Sequence, residues 1–333
     1  MPELPEVEVV RAGLEPAVTG ARIRSVSVLE ERSLRRHIGP SEDFIERLAG
    51  RTILAAVRRG KFLWLPLSFV SLPKTQDIHH HKGATGVFEV NSGECPAFSE
   101  APEAPEALVV HLGMSGQVLL RDPQQPDDAL LRIRLHLVSA AHGEFRVDFV
   151  DQRIFGSMAV DDLVPTADGR AAGRGHDAPM IPSQVAHIAR DPLDAAFDDA
   201  RFFGALARRK TGIKRALLDQ NLISGIGNIY ADEALWAARM HYDQPTNTLS
   251  RGKAKTLLAE IRLVLARALA EGGTSFDAQY VNVNGASGYF SHSLNAYGQQ
   301  GRQCPRCGRP IVRESFMNRG SHLCPFCQKI RAA

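Results

Sequence analysis

The sequence lacks an apolar run long enough to cross a lipid bilayer. Its first residues, Met1-Pro2-Glu3-Leu4-Pro5, do not form the basic and then apolar leader of a secreted protein. Cysteines number only five, and four of them lie together near the C-terminus, which in a reducing compartment indicates a metal site more often than disulfides. We therefore expect a cytoplasmic protein without a membrane partner.

The chain also lacks a strong excess of either charge. Its formal net charge is +3, so overall charge says little about a nucleic-acid partner. Basic residues are grouped locally, but they form an electrostatic footprint only if the fold brings them to one face. Three separate solvated patches are the alternative. The groups are Arg32, Arg35 and Arg36; Arg58, Arg59 and Lys61; and Arg208, Arg209, Lys210, Lys214 and Arg215.

The composition is that of an ordinary globular protein, with 44% hydrophobic and 23% charged residues. A spacing near 3.6 predicts a helix over 3–18, and short alternating segments predict an antiparallel sandwich or barrel. We therefore predict an α+β fold with an N-terminal β-sandwich, a helical domain and a small cysteine-containing module. The predicted strands are 22–29, 52–58, 62–67, 108–112, 117–120, 131–138 and 145–150, and the later helices 199–209, 213–220, 229–238 and 250–271.

Composition also suggests domain boundaries. We place the N-terminal domain at 1–161, a Gly- and Pro-rich linker at 162–190, the helical domain at 191–297 and the terminal module at 298–333. Within the first domain, residues 70–107 contain the low-complexity stretch EAPEAPEA and are predicted to be a surface insertion with little structure. His79-His80-His81 and Cys95 fall in this insertion, and neither is predicted to bind metal.

Four cysteines form two C-x2-C pairs near the C-terminus: Cys304, Cys307, Cys324 and Cys327. Each pair can direct two thiolates at one ion, and four thiolates complete a tetrahedral zinc site with no open position for catalysis. We therefore predict one structural zinc ion in a two-stranded finger that is too small to fold unaided. Basic residues in the finger favour contact with phosphate: Arg302, Arg306, Arg309, Arg313, Arg319 and Lys329.

A glycine-containing turn over 220–230 joins two helical patterns. Gly225 and Gly227 permit a tight backbone, and Asn228 is predicted to cap the following helix, whose free N–H groups suit a phosphate. A plain helix-turn-helix packing motif is the alternative, although Lys210 and Lys214 just upstream favour DNA.

Three motifs resemble the formamidopyrimidine-DNA glycosylase family: MPELPEVE at the start, NLISGIGNIYADE, and CPRCGRPI…FMNRGSHLCPFCQ at the end. The resemblance implies a monomeric, bifunctional glycosylase and abasic-site lyase of base excision repair. Its substrate would be double-stranded DNA containing 8-oxoguanine, formamidopyrimidines or abasic sites. It also implies a helix–two-turns–helix motif and a β-hairpin zinc finger, in agreement with the pattern of the residues.

The resemblance assigns the chemistry to four residues. Pro2, exposed as a terminal amine after removal of Met1, would be the nucleophile, and its pKa of about 8 leaves part of it neutral. Glu3 would be the general acid and base, with Glu6 supporting it, while Lys61 and Arg319 would contact phosphate. On residue type alone, Pro2 could simply start a helix, and Lys61 could face solvent.

The resemblance also implies contacts to DNA. Met114, Arg153 and Phe155 would fill the gap that the extruded base leaves. Phosphate contacts would match or lie beside Arg209, Lys214, Asn228 and Tyr230, for which simple surface roles are the alternative. The loop from Thr274 through Tyr289 would cap the lesion.

Two departures stand out from the family pattern: the insertion, and the absence of a phosphate-binding histidine in Asp127-Asp128-Ala129-Leu130. Two other functions remain open. An enzyme of the endonuclease VIII type would prefer oxidised pyrimidines, but such proteins usually open with PEGPE. A non-catalytic DNA-binding protein would not need Pro2 or Glu3.

Overall fold

The computed structural model of the chain describes residues 2–69, 105–274, 283 and 290–330. The first helix, α1 (Leu4–Val18), confirms the predicted helix. Its start is fixed by a capping box, in which the Glu3 backbone N–H donates to the Glu6 carboxylate at 2.9 Å. The apolar face of α1, which includes Val7 and Leu14, is fully buried against the sandwich.

Two antiparallel sheets form the N-terminal domain, as predicted. The strands are β1 (Arg22–Val28), β2 (Val57–Arg59), β3 (Phe62–Pro66), β4 (Glu106–His111), β5 (Gly116–Arg121), β6 (Leu131–Ser139), β7 (Gly143–Asp151), β8 (Ser157–Pro165) and β9 (Met180–Pro182). One sheet has the order β1-β6-β7-β5 and the other β2-β3-β4-β8-β9. Apolar side chains that alternate along β3, β4, β6 and β8 meet between the sheets and form the core.

The structure corrects several predicted boundaries. Strand β8 continues to Pro165, and β9 pairs with it, so part of the predicted linker 162–190 belongs to the five-stranded sheet. The reason is apolar burial, since Ile181, Val185 and Ile188 cover the outer face of that sheet. Strand β4 begins at Glu106, inside the predicted insertion, because it pairs with both β3 and β8. Of the predicted strand 52–58, only the end lies in β2.

One further helix of the first domain, α2 (Ser41–Leu48), was not predicted. The helical domain contains α3 (Asp199–Arg208), α4 (Ile213–Leu218), α5 (Asn228–Ala237) and α6 (Arg251–Ala270), close to the predicted ranges. A hairpin of β10 (Val312–Phe316) and β11 (Arg319–Leu323) forms the terminal module. None of the helices in the described ranges is long and apolar enough to cross a membrane.

A buried ion-pair network joins the two domains. The Arg58 guanidinium, 1% exposed, donates to Glu8 of α1 at 2.7 Å and, at 3.0 Å, to Asp191, the first residue of the predicted helical domain. Asp191 also accepts the Gly60 backbone N–H at 3.3 Å. Because these charges are shielded from water, breaking the network would leave unpaired buried charges, which makes domain separation costly.

Candidate active site and DNA interface

The start of the chain lies at the junction of the two domains. Pro2 and Glu3 are buried, and the next backbone N–H, of Leu4, donates to the Gly225 carbonyl at 2.9 Å. Gly225 adopts a φ of +89°, and a Cβ there would lie 2.7 Å from a Leu4 side-chain carbon. A glycine at 225 therefore serves both the turn and the close approach of the chain start.

The Glu3 carboxylate caps helix α5 across the domain junction. It accepts the backbone N–H groups of Gly227 at 2.5 Å, Ile229 at 2.9 Å and Tyr230 at 3.4 Å. A Cβ on Gly227 would lie 2.4 Å from Glu3, so only glycine admits this contact. The predicted cap, Asn228, is instead the first residue of the helix, and its side chain does not cap it.

Burial raises the pKa of Glu3 from 4.5 to about 7, although the nearby Lys61 charge and the helix N–H groups oppose the rise. Burial likewise lowers the pKa of Lys61, which Glu3 counteracts and Arg319 reinforces. The charge of Lys61 thus interacts with those of both Glu3 and Arg319, and Glu3 is the chain neighbour of Pro2. A carboxyl group with a pKa near 7 can both donate and accept a proton at neutral pH.

Glu6 links the chain start to the beginning of the predicted lesion-capping loop. One carboxylate oxygen accepts the Glu3 N–H, and the other accepts the Tyr230 hydroxyl at 2.6 Å and the Thr274 N–H and hydroxyl, each at 2.8 Å. The rest of that loop, through Tyr289, is outside the described residues apart from Val283. Glu6 therefore holds the backbone of Glu3 in place, and its hydrogen bond from Tyr230 attaches this part of the chain to α5.

Lys214 and Tyr230 are buried, which rules out a direct phosphate contact by either side chain in this structure. The Lys214 ammonium donates to Asp232 at 2.6 Å and to Ser321 at 3.0 Å. Asp232 also accepts the His322 backbone N–H at 2.8 Å, so α5 holds the hairpin that carries Arg319. The sequence analysis did not single out Asp232, although it lies within the NLISGIGNIYADE motif.

Replacing Lys214 with methionine should strongly destabilise the fold. Because the Asp232 carboxylate would stay buried without its cation, we expect the free energy of unfolding to fall by about 3–5 kcal/mol. Urea denaturation of the zinc-loaded chain measures this loss. The matched control is Lys210→Met, at an exposed lysine, which should change stability by less than about 0.5 kcal/mol. Equal, small losses in both variants would contradict the structural role given to Lys214.

The other predicted phosphate contacts lie closer to the surface. Arg319 is exposed at the tip of the hairpin, and Asn228 lies near it, its amide donating to the Gly320 carbonyl at 3.2 Å. The Asn228 Oδ1 atom is buried without a hydrogen-bond partner among the described residues. Arg209, at the end of α3, forms an ion pair with Asp219 at 2.7 Å. The predicted groups of basic residues therefore do not lie wholly on the surface, because Arg58 and Lys214 are buried.

Two neighbouring turns present the residues predicted to fill the gap in the base stack. Met114 and Phe155 are 42% and 48% exposed, so neither is a core residue. The buried Asp151 carboxylate holds both turns, since it accepts the Ser115 hydroxyl at 2.5 Å and the Arg153 N–H at 3.2 Å. The Arg153 side chain is exposed beside them.

His111 was missed by the sequence reasoning, although it opens the HLGMSG motif that contains Met114. Its Nδ1 atom accepts the Gly113 N–H at 3.2 Å, so the neutral ring carries its proton on Nε2. Burial, with the charges of Arg36, Arg35 and Lys61, lowers its pKa to about 4. His111 is thus a neutral hydrogen-bond donor in a basic environment, a group suited to phosphate.

The four predicted zinc ligands converge. The Sγ atoms of Cys304, Cys307, Cys324 and Cys327 all lie within 4.8 Å of one another, as four thiolates around one zinc ion require. The finger packs on α5, where Trp236 donates its indole N–H to Cys304 at 3.4 Å and stacks under the Arg306 guanidinium at 4.1 Å. Arg306 therefore attaches the finger to the helical domain, and its contact with phosphate stays a prediction.

Comparisons with known proteins agree with this architecture. Three family models match in order: the formamidopyrimidine-DNA glycosylase N-terminal domain over residues 1–158, the formamidopyrimidine-DNA glycosylase H2TH domain over 188–279, and a zinc finger found in FPG and IleRS over 302–330. A curated formamidopyrimidine-DNA glycosylase of Leifsonia xyli subsp. xyli is 61% identical over 99% of this chain and 100% of its own length. One from Thermobifida fusca is 49% identical over 98% of this chain and 97% of its own.

Solved structures match over the same extent. Lactococcus lactis Fpg in complex with DNA containing an abasic site superimposes with a TM-score of 0.73 at 26% identity, covering 98% of this chain and 99% of that one. The same protein in complex with DNA containing an oxidised pyrimidine also gives a TM-score of 0.73, with 26% identity and coverages of 98% and 100%.

Proposed function

The chain belongs to the formamidopyrimidine-DNA glycosylase family, and from that premise we propose that it excises oxidised purines through the amine of Pro2. As a member of that family it is a DNA-repair glycosylase with abasic-site lyase activity. Its substrate class is double-stranded DNA with 8-oxoguanine, formamidopyrimidine or an abasic site. The observation that carries the residue assignment is the junction at which Pro2, Glu3 and the N-terminus of α5 meet. Action as a monomer in the bacterial cytoplasm, at the nucleoid, is part of the proposal.

The reaction begins with the Pro2 nitrogen, whose lone pair forms a bond to C1′ of the damaged nucleotide. The base leaves with the electrons of the glycosidic bond and takes up the proton that the Pro2 nitrogen releases, and the sugar ring opens as its oxygen takes a proton from Glu3. The resulting iminium ion draws electrons from C2′. The Glu3 carboxylate then takes a C2′ proton and the 3′ phosphate leaves, a second elimination expels the 5′ phosphate, and water finally releases Pro2.

The surrounding residues position the DNA for these steps. Lys61 and Arg319, which share the electrostatic environment of Glu3, stabilise the phosphates next to the lesion. Asn228 and Arg209 add phosphate contacts from the helical domain. Arg153 donates to the orphaned base while Met114 and Phe155 occupy the gap, a role that their exposure supports. The four cysteines would hold a zinc ion, which would keep the hairpin of Arg319 in place.

Borohydride trapping on duplex DNA with 8-oxoguanine opposite cytosine tests the proposal. Because borohydride reduces the iminium ion to a stable amine, we expect a covalent adduct that peptide mapping assigns to Pro2. A preparation that retains Met1 should give no adduct. An adduct on a lysine would overturn the assignment, and binding without any adduct would favour a non-catalytic DNA-binding protein. Much faster cleavage of an oxidised pyrimidine would favour an endonuclease VIII-type enzyme.

The pKa of Glu3 predicts the pH dependence of base excision. Glu3 must carry a proton to donate it, and with a pKa of about 7 the protonated fraction falls as the pH rises above 7. Over the same interval the neutral, reactive fraction of a Pro2 amine with a pKa of about 8 rises about threefold. We therefore expect the single-turnover excision rate, at saturating enzyme, to fall by about two- to threefold between pH 7.5 and 8.5. A rate that is flat or rises over this interval would exclude Glu3 as the proton donor in the limiting step.

A further inference from the structure

A cavity of about 750 Å³ lies between the outer face of the five-stranded sheet and helix α3. Its walls come from β2, the segment after β8, α3 and the turn at Asn221 and Leu222. In the described part of the chain, the residues that line it include neither Glu3, Lys61 nor Arg319, and Arg209 is the one proposed DNA contact among them. Its volume falls within the range of about 300–1,000 Å³ that is usual for small-molecule sites. The cavity is therefore large enough to hold a ligand of its own.

Arg59 lines this cavity, and not all of the N–H donors of its guanidinium group have a hydrogen-bond acceptor. Its side chain is 6% exposed, and its Nε atom donates to the Ala172 carbonyl at 2.6 Å. Its Nη2 atom is buried and has no hydrogen-bond partner among the described residues. A buried charged donor without an acceptor costs free energy, and an anion in the cavity would remove that cost. Burial, followed by the like charge of Arg190, lowers the pKa of Arg59, which an anion would also reverse.

The charge of the cavity is positive. Six arginines and two aspartates line it. Arg190 is held by Asp168 at 2.8 Å and Asp194 at 2.6 Å, and Arg209 is held by Asp219 at 2.7 Å. The other lining arginines form no ion pair within the described ranges: Arg59, Arg170, Arg201 and Arg208. Three of these four lie exposed at the rim, where they can attract an anion towards Arg59.

Apolar side chains complete the wall, including Ile181, Ile188, Phe202 and Leu222, all buried. A guanidinium group recognises phosphate through paired N–H donors, and an apolar wall suits the flat face of a base. We infer that this cavity is a second binding site, for a nucleotide whose phosphate contacts Arg59 and whose base contacts the apolar wall. The nucleotide is either a free mononucleotide or the phosphorylated end of a DNA strand.

The course of the β2–β3 hairpin separates this site from the catalytic junction. Arg59 extends from the hairpin to the outer face of the sheet, where it contacts Ala172, while Arg58 extends to the inner side and contacts Glu8. Lys61, one residue past the Gly60 turn, interacts with Glu3 instead. The inference does not depend on the nucleophile assigned to the reaction.

Calorimetric titration of the full-length, zinc-loaded protein with dGMP tests the proposal. We expect dGMP to bind and deoxyguanosine, which has no phosphate, to bind at least tenfold more weakly. Arg59→Gln should weaken dGMP binding at least tenfold. Since Arg59 is buried and its loss could disturb the fold, the double variant Arg201→Gln/Arg208→Gln, at exposed positions, should show a loss of similar size. The control Arg24→Gln, at an exposed arginine paired with Glu144, should stay within twofold of the original affinity.

A competition experiment separates this cavity from the catalytic groove. Protein saturated with a duplex that carries a reduced abasic site should bind dGMP as tightly as free protein does, and displacement by the duplex would overturn the proposal. Equal binding of dGMP and deoxyguanosine, or no dGMP binding, would overturn it too. A 5′-phosphorylated trinucleotide that binds more tightly than dGMP identifies a strand end as the ligand, and the reverse order identifies a free nucleotide. Arg201→Gln/Arg208→Gln should still form the borohydride adduct, so failure of the lyase assignment and failure of this site are distinguishable.

Discussion

The variant Glu3→Gln should excise 8-oxoguanine from duplex DNA on the order of 10²–10⁴ times more slowly than the unchanged protein. Glutamine retains an oxygen that can accept the α5 backbone N–H groups, so the helix cap is partly preserved. It cannot transfer a proton to the opening sugar ring, and it removes the negative charge that faces Lys61. Single-turnover excision at saturating protein measures the loss separately from binding.

The same variant should lose much less activity on DNA that already contains an abasic site. There the base has departed, and the sugar is partly in its open aldehyde form, so the step that most needs the Glu3 proton is bypassed. Glu15→Gln, at a partly exposed position of the same helix where the carboxylate pairs with Arg11, is the matched control and should excise at the original rate. If Glu3→Gln excised 8-oxoguanine within tenfold of the control, the acid role of Glu3 would be wrong.

Removal of the zinc ion should abolish the borohydride adduct on lesion-containing DNA. Four thiolates hold a hairpin with a very small apolar core, so ion binding supplies most of its folding free energy. Without that hairpin Arg319 is no longer held beside Lys61, and we expect DNA affinity to fall at least about a hundredfold. Cys324→Ser, or treatment with a strong chelator, followed by gel-shift and trapping assays, measures the effect.

Cys95→Ser is the matched control for the finger, because Cys95 lies outside the zinc-ligand set. It should bind zinc and DNA normally. The helical and sandwich domains have their own cores, so circular dichroism of the zinc-free protein should still show most of its helix. Normal adduct formation by a demonstrably zinc-free protein would contradict the role given to the finger.

The sequence predicted the parts of the fold that local periodicity and spacing determine. Helix α1, the core strands and the four helices followed from apolar patterns, and the zinc ligands followed from two C-x2-C pairs. The extent of β8 and the pairing of β9 did not, because Ile181 is buried by contacts distant in sequence, inside a stretch whose Gly and Pro content indicated a linker.

The sequence indicated which residues form the site, but it did not indicate which of them contact one another. Resemblance indicated Glu3 and Glu6, yet only the fold shows that Glu3 caps α5 from more than two hundred residues away. Lys214 looked like a phosphate contact because it follows a basic run, and only burial reveals its pairing with Asp232. Such long-range pairings of charge leave no periodic signal in a single sequence.

The buried network of Arg58, Glu8 and Asp191 has a mechanical consequence for substrate selection. With the Leu4 N–H also hydrogen-bonded to Gly225, any movement of the two domains that breaks the junction would leave buried charges unpaired and would be costly. We therefore expect the duplex to undergo most of the change in shape, by bending and unstacking towards the proposed Pro2 nucleophile. A duplex softened by damage yields at a lower free energy than an intact one, so discrimination between lesions and normal bases begins with the compliance of the DNA, before any atom of the base is read.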